Sequence, residues 1–448
     1  MRYIPVTKEQ QEEMLKKIGV KSVDDIFSVI PEEFLLKREL NIGEPLSELE
    51  LERKLNALAN KNVALNNKAS FIGEISYNHY IPSIIGHLAG QSQFYTSYTP
   101  YQPELSQGTL EAIYEFQSYI VNLTGMDVTN ASLYDGATAA AEAMLMLCSH
   151  TNKSKVIVSS LLHPSVKEVL KTYAEATDLE IEEIINEMGS TSFTDLEEKL
   201  SDNIACFIFQ SPNVFGIIEN ISAISEIVAK KGIKLVNVIL EALSLGILAP
   251  PGKFGIDVVC GEAQSFGNEI SFGGPGLGFI ASKKEYIRKL PGRIVGKTID
   301  MDGKTSYVLT LRAREQDIRR EKATSNICTN NSLSALKATI YLSALGKDGL
   351  REISEQNIQK SHYAFTELSK ISKLNIPYKK PFFNEFLIEL PRPTKEIREE
   401  LYERGILVSK TDLSAYYPYL QNPLILTFTE LNTKEEIDYL VKAFREVL

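Results

Sequence analysis

The 448-residue sequence predicts an α/β fold: a mostly parallel sheet covered on both faces, preceded by a helical arm and followed by a smaller α+β unit. Three observations lead there. Beyond about residue 126, short β-branched runs alternate with helix-periodic segments as far as Ser282. The first 65 residues are polar, helix-patterned and interrupted by Pro31 and Pro45. The last part reads helix, strand, helix, strand, helix. A chain this long exceeds one compact core. The expected divisions are a helical arm over 1–65, a large α/β domain over 66–325 and a small C-terminal α+β domain over 326–448.

In the arm, Thr7 is a cap and Gly19 a stop for the helix "KEQQEEMLKKI", and the stretches beginning at Ser22 and Pro45 repeat that amphipathic style. Residues 66–110 are rich in Tyr, Pro and Gly and keep neither a helical nor a strand period for long. An ordered Tyr-rich loop lining a site is the expectation. A helix then runs to Gly125, and "ATAAAEAMLMLCSH" forms the next. Strands are expected at 154–160, 204–212, 233–240, 256–261 and 277–282, with "LEIEEII" a strand candidate that also reads as helix. Helices start at Pro164, Phe193 and Asn220, Pro164 being suited to a first turn. A hairpin turns at Asp302-Gly303. A long helix, "NSLSALKATIYLSALG", leads into the C-terminal unit, whose strands are "NEFLIELP" and "LILTFTE".

The formal net charge of −10 argues against a nucleic-acid or anionic-membrane partner, and no apolar run of membrane-spanning length exists. The N-terminus has acidic residues and no apolar segment, so it does not read as a signal peptide, and a cytoplasmic location is expected. Cys148, Cys206, Cys260 and Cys328 are widely spaced and read as buried free thiols. His79, His87 and His163 are isolated, so no metal site is expected and structural roles are.

Several stretches bear on chemistry. In "YDGATAAAEA", Gly136, Ala137 and Thr138 open a helix whose free N–H groups suit a phosphate, but Asp135 at the same end competes as a cap. Glu241 ends a strand where certain pyridoxal phosphate (PLP) enzymes place an acid against the pyridine nitrogen; a surface or capping role is the plainer reading. One strand later comes "CGEAQSFGNEISFGGPG", the kind of loop in which such enzymes carry a Schiff-base lysine. It has none. Lys253 precedes the strand, and Lys283 and Lys284 follow the next one. Gly273, Gly274, Gly276 and Gly278 permit close approach of another chain or its cofactor, or simply a tight turn. Arg312, Arg314, Arg319, Arg320 and Lys322 fall within eleven positions: either anion contacts or a solvated face paired with Glu315 and Glu321.

"YTPYQPELSQGTLEAIYEFQSYIVNLTGMDVTNASLYDGATAAAEA", "GEAQSFGNEISFGGPGLG", "REKATSNICTN" and "LTFTELNTKEEIDYLV" together resemble the glycine-cleavage P-protein family, glycine dehydrogenase (decarboxylating), and within it subunit 1 of the two-chain form. The resemblance runs from the arm to the C-terminus. It implies a PLP-dependent transferase fold of type I, aminotransferase-like, with a seven-stranded type of sheet. It implies that subunit 2 holds PLP on its lysine, that this chain binds none covalently, and that Gln264 stands close to the lost lysine. Glycine would be decarboxylated and its aminomethyl carbon passed to the lipoyl group of H-protein. Tyr98 and Tyr101 are then expected to reach toward the partner's cofactor, with His79, Gly273 and Gly274 as further wall, and the partners to be subunit 2 and lipoylated H-protein, suggesting two chains of each subunit. Two other readings remain: a self-sufficient PLP enzyme with a displaced lysine, such as Lys253, and a non-catalytic scaffold that docks H-protein.

Overall fold

The computed structural model describes residues 5–65, 68–95 and 99–448. They divide into two compact units, 1–63 and 64–448. In the first, helix α1 (Lys8–Ile18) is closed by a Thr7–Gln10 capping box and by Gly19 at φ +88°. Helix α2 (Glu48–Ala59) starts with a second capping box, Ser47 with Glu50. Neither helix buries a residue.

The second unit is built on a seven-stranded sheet. Its strands are β2 (Val128–Thr129), β3 (Lys155–Ser159), β4 (Glu180–Ile184), β5 (Ile204–Gln210), β6 (Lys234–Ile239), β7 (Val258–Glu262) and β8 (Gly278–Ser282), in the order β2-β8-β7-β6-β5-β3-β4. Five strands run parallel, from β4 through β7, and β8 is antiparallel to both its neighbours. Alternation of side chains splits the core in two. On β6, Leu235 and Ile239 enter one apolar layer with Phe207 and Phe209 of β5. Val236, Val238 and Leu240 enter the other with Ile208. The apolar runs read as strands for this reason: both faces are covered. Helix α5 (Gly136–Thr151), rich in Ala, lies against β7 and β8, and α6 (Pro164–Ala176) carries Pro164 in its first turn as expected.

The hairpin β9 (Ile294–Ile299) and β10 (Thr305–Thr310) turns over Asp300–Lys304. Helix α9 (Ser332–Leu368) breaks at Gly346, φ +59°, where the sequence pattern stopped. The C-terminal part pairs β11 (Glu385–Glu389) with β13 (Pro423–Thr427) and packs helix α11 (Lys434–Val447) over a third core containing Phe386, Leu426, Leu440 and Phe444. Several short elements escaped the sequence pattern, β2 and β12 (Ile406–Val408) among them. Strand β1 (Ala69–Phe71) pairs in parallel with β12, a contact too remote in the chain to leave a local signal. Helix α3 (Ser83–Ala89) sits inside the Tyr-rich segment and is only seven residues long. One thiol also departs from expectation: Cys148, Cys206 and Cys260 are buried, but Cys328 is exposed because it lies in a coil before α9.

Candidate functional site

The parallel strands end together, and their carboxyl ends carry a polar cluster, where ligands of open α/β sheets bind. Past β6, Glu241 is 3% exposed. Its Oε1 accepts from the Leu243 N–H at 2.9 Å, capping a turn over Ala242–Gly246. The capping reading of Glu241 is right and the surface reading is not, because Oε2 lies 3.0 Å from His79 Nε2 in the interior. The other ring nitrogen of His79, Nδ1, lies 2.8 Å from Glu430 Oε2. A ring between two carboxylates donates from both nitrogens only as the imidazolium. Burial alone would lower the pKa of His79. The charges and hydrogen bonds of Glu241 and Glu430 outweigh it and hold the pKa at about 10. Glu430 Oε1 also accepts from the Tyr80 N–H at 2.5 Å. His79 is thus interior, with both nitrogens engaged.

At the end of β7, Glu262 faces the first turn of α5. Its Oε2 accepts from Gly136 N–H at 3.0 Å, and its Oε1 accepts from Gln264 N–H at 3.0 Å and Leu277 N–H at 2.6 Å. Burial pushes its pKa up to about 7 against these three donors. Asp135 caps the same helix, accepting from Thr138 N–H at 2.7 Å. Gly136 is required for this approach: a Cβ there would stand 2.9 Å from the Glu262 nitrogen. Gln264 accepts from Tyr77 N–H at 3.0 Å and donates to the carbonyls of Tyr77 at 3.2 Å and Asn268 at 2.5 Å. Tyr77 Oη in turn lies 3.1 Å from Glu385 Oε1, a carboxyl that burial and the charge of Glu74 raise to about 8.

These residues do not fit PLP. An incoming phosphate would meet Glu262 on the Gly136 N–H. A pyridine nitrogen would meet His79 on Glu241. Gln264, expected close to the lost lysine, is an amide whose oxygen and nitrogen are both bonded. Lys253 lies on the turn Pro251–Phe254 that leads into β7, and Lys283 is tied to Asp257 at 2.8 Å, also at the far end of the sheet. The space that remains is a cleft of about 330 Å³, lined in part by Ser76, Asp135, Gln264, Gly273, Gly274 and Asn331. Gly273, at φ +97°, faces open space, and Phe272 beside it is 96% exposed.

A second polar cluster surrounds Tyr101. The guanidinium of Arg293 donates to Tyr101 Oη at 3.0 Å and sits 5.3 Å from the ring centre, with that of Arg312 at 5.2 Å. Arg312 pairs with Asp317 at 2.6 Å, and not with the Glu315 or Glu321 anticipated from spacing. Arg314 donates to the Leu290 carbonyl, so it lies inward from a short turn and not on a solvated helix face. Arg319 and Arg320 are exposed. Among the described residues, Arg293 Nε, Arg312 Nε, Arg314 Nε and Nη2, and Glu315 Oε1 are buried without a hydrogen-bond partner. Tyr98 lies outside the described residues. Sequence reasoning missed Arg293 and Glu430. Glu430 had a usable signal, an acid three residues past an apolar strand; Arg293, on a loop before β9, had none.

The family model described as "Glycine cleavage system P-protein" matches residues 1–444. The chain is 50% identical over 440 residues, 98% of each chain, to a probable glycine dehydrogenase (decarboxylating) subunit 1 of Geobacillus kaustophilus. It superposes with a TM-score of 0.93 and 39% identity, covering all of both chains, on a crystal structure of glycine decarboxylase (P-protein) of the glycine cleavage system in inhibitor-bound form. A sphingosine-1-phosphate lyase of Burkholderia pseudomallei shares the fold alone, at a TM-score of 0.67 and 12% identity over 92% of each chain. The fold is that of type I PLP enzymes. Among the described residues, no helix is long and apolar enough to cross a membrane. Its similarity from end to end, together with this strand-end geometry, makes the chain a member of the glycine cleavage system P-protein family.

Proposed function

We propose that the chain is the lysine-lacking subunit of a two-chain glycine decarboxylase in the cytoplasm. It acts with a subunit 2 that carries PLP, and with the lipoylated H-protein that accepts the aminomethyl group. The observation that carries this is the strand-end cluster. In a chain similar throughout to P-proteins, the places that would hold the cofactor are engaged by Glu262, His79 and Gln264. Its own share is then structural at the site: it supplies wall and docking surface. Tyr101, 42% exposed, and the open turn at Gly273 and Gly274 are the surfaces we assign to the partner's cleft, with Tyr98 expected beside them. Arg312, beside Tyr101, with Arg314, Arg319 and Arg320, is assigned to contacts with anionic groups. The arm offers apolar side chains for an embrace of the partner: Phe34 is 74% exposed and Ile42 83%.

Purifying the chain with and without subunit 2 tests this. Exchange of bicarbonate into the glycine carboxyl is expected only after mixing. Exchange by the chain alone, or a borohydride-fixed pyridoxyl group on one of its lysines, would refute it.

A further inference from the structure

The segment Gly73–Tyr80 crosses the carboxyl ends of the sheet and bonds at each step. Glu74 N–H donates to Glu385 at 3.1 Å, Tyr77 exchanges hydrogen bonds with Gln264, and His79 joins Glu241 of the sheet to Glu430 beyond β13. The shape and charge of the His79 ring are the informative part. It is a flat aromatic cation, held edge-on by a strand-end carboxylate, in a fold whose members hold a protonated pyridine ring in that relation to an acid. Glu262 likewise puts one carboxylate oxygen, Oε2, on the Gly136 N–H of the α5 N-terminus, where a phosphate would be met, while Oε1 is held by Gln264 and Leu277.

We propose that this chain carries an internal substitute for its fold's cofactor: the His79 ring occupies a site for a planar aromatic cation between Glu241 and Glu430, and Glu262 occupies the adjoining anion position. Three consequences follow. The chain completes its fold without PLP. Restoring a lysine at 264 does not restore binding, since two other anchor positions stay taken. And the space vacated by His79 accepts a free planar cation of the same kind. The inference concerns this chain by itself and does not depend on partner, substrate or H-protein, so it and the proposed function can fail separately.

The test removes the ring and returns it. In His79→Gly, the thermal unfolding midpoint is expected to fall by about 3–5 °C, because two buried carboxylates lose their shared cation. Imidazole at near-neutral pH is expected to restore at least half of that loss, while Tris at equal concentration and ionic strength restores none, having no flat ring. Equal response of the variant and the unmodified chain to imidazole would overturn the proposal. Should His79→Gly not fold, the unmodified chain still decides the matter. With ¹⁵N-labelled histidine, His79 is expected to show protons on both nitrogens at pH 8, and a neutral ring there would reject the assignment. Gln264→Lys provides the third arm: no pyridoxyl label is expected after PLP and borohydride, and stoichiometric labelling at residue 264 would show the site open, against the proposal.

Discussion

Two polar clusters of the same unit behave oppositely. At the strand ends, His79 bridges two carboxylates and Glu262 has three donors, so the buried charges are matched from within. Around Tyr101, three guanidinium groups leave four N–H atoms buried without partners among the described residues. An unpaired buried donor costs about 1–3 kcal/mol. The first cluster therefore pairs its ionisable side chains within one chain, and the second is what an interface or a bound anion would complete. The difference teaches that the absence of a lysine from the loop after β7 goes with internal pairing at the neighbouring strand ends. At the strand ends Glu241 and the Gly136 N–H are engaged by this chain's own side chains, beside a cleft of about 330 Å³.

Breaking the complete cluster should have the largest effect. Glu241→Ala leaves the His79 cation with one carboxylate and uncaps the turn at Ala242, at an expected cost of about 3–5 kcal/mol in urea unfolding. In the incomplete cluster, Arg312→Ala should cost the isolated chain no more than about 1 kcal/mol, since its ion pair with Asp317 is part-exposed. Similar losses for both would erase the contrast.

The pH dependence sharpens it next. His79 has its pKa raised to about 10, so the stability it adds is fully present below about 6.5 and is lost as pH rises toward 10. The groups facing its ring are Glu241, Glu430, Tyr77 and, through the Glu430 carbonyl, Lys360. Glu262 and Glu385 are acids raised to about 7 and about 8; folding favours their protonated forms, and that part is lost as pH climbs from about 4.5 through those values. Midpoints recorded from pH 5 to 10 should fall throughout. In His79→Gln the decline above pH 8 should flatten.

The smallest effect on the isolated chain is reserved for Tyr101→Phe, which removes one hydrogen bond to Arg293. Stability should move by less than about 1 kcal/mol, while glycine–bicarbonate exchange of the assembled enzyme falls about tenfold, as expected for a charged hydrogen bond at the partner's cleft. An unchanged exchange rate would remove Tyr101 from the site.

Much of the architecture was legible because it is local. Doubly buried strands announce themselves as apolar runs, and Thr7, Ser47, Gly19 and Gly125 set helix ends through hydrogen bonds a few residues apart. "LEIEEII" was ambiguous because Glu180–Ile184 is an edge strand whose outer residues are charged, so its pattern alternates weakly. Of the site, the missing lysine, Asp135 and Glu241 could be read along the chain. What replaced the lysine's chemistry could not. His79 and Glu241 are 162 residues apart, and Glu430 is 351 from His79.

By itself, the sequence determined the order of the long strands and helices, the family and the absence of an amine in the loop after β7, since each is written in consecutive residues. Only the tertiary structure decided that His79 is a cation between two acids, that Glu262 covers the α5 N-terminus, that Arg293 meets Tyr101, and that Asp317 rather than Glu315 pairs with Arg312. Charge state and pairing depend on burial and on distances between segments remote in the chain, and a linear pattern carries neither.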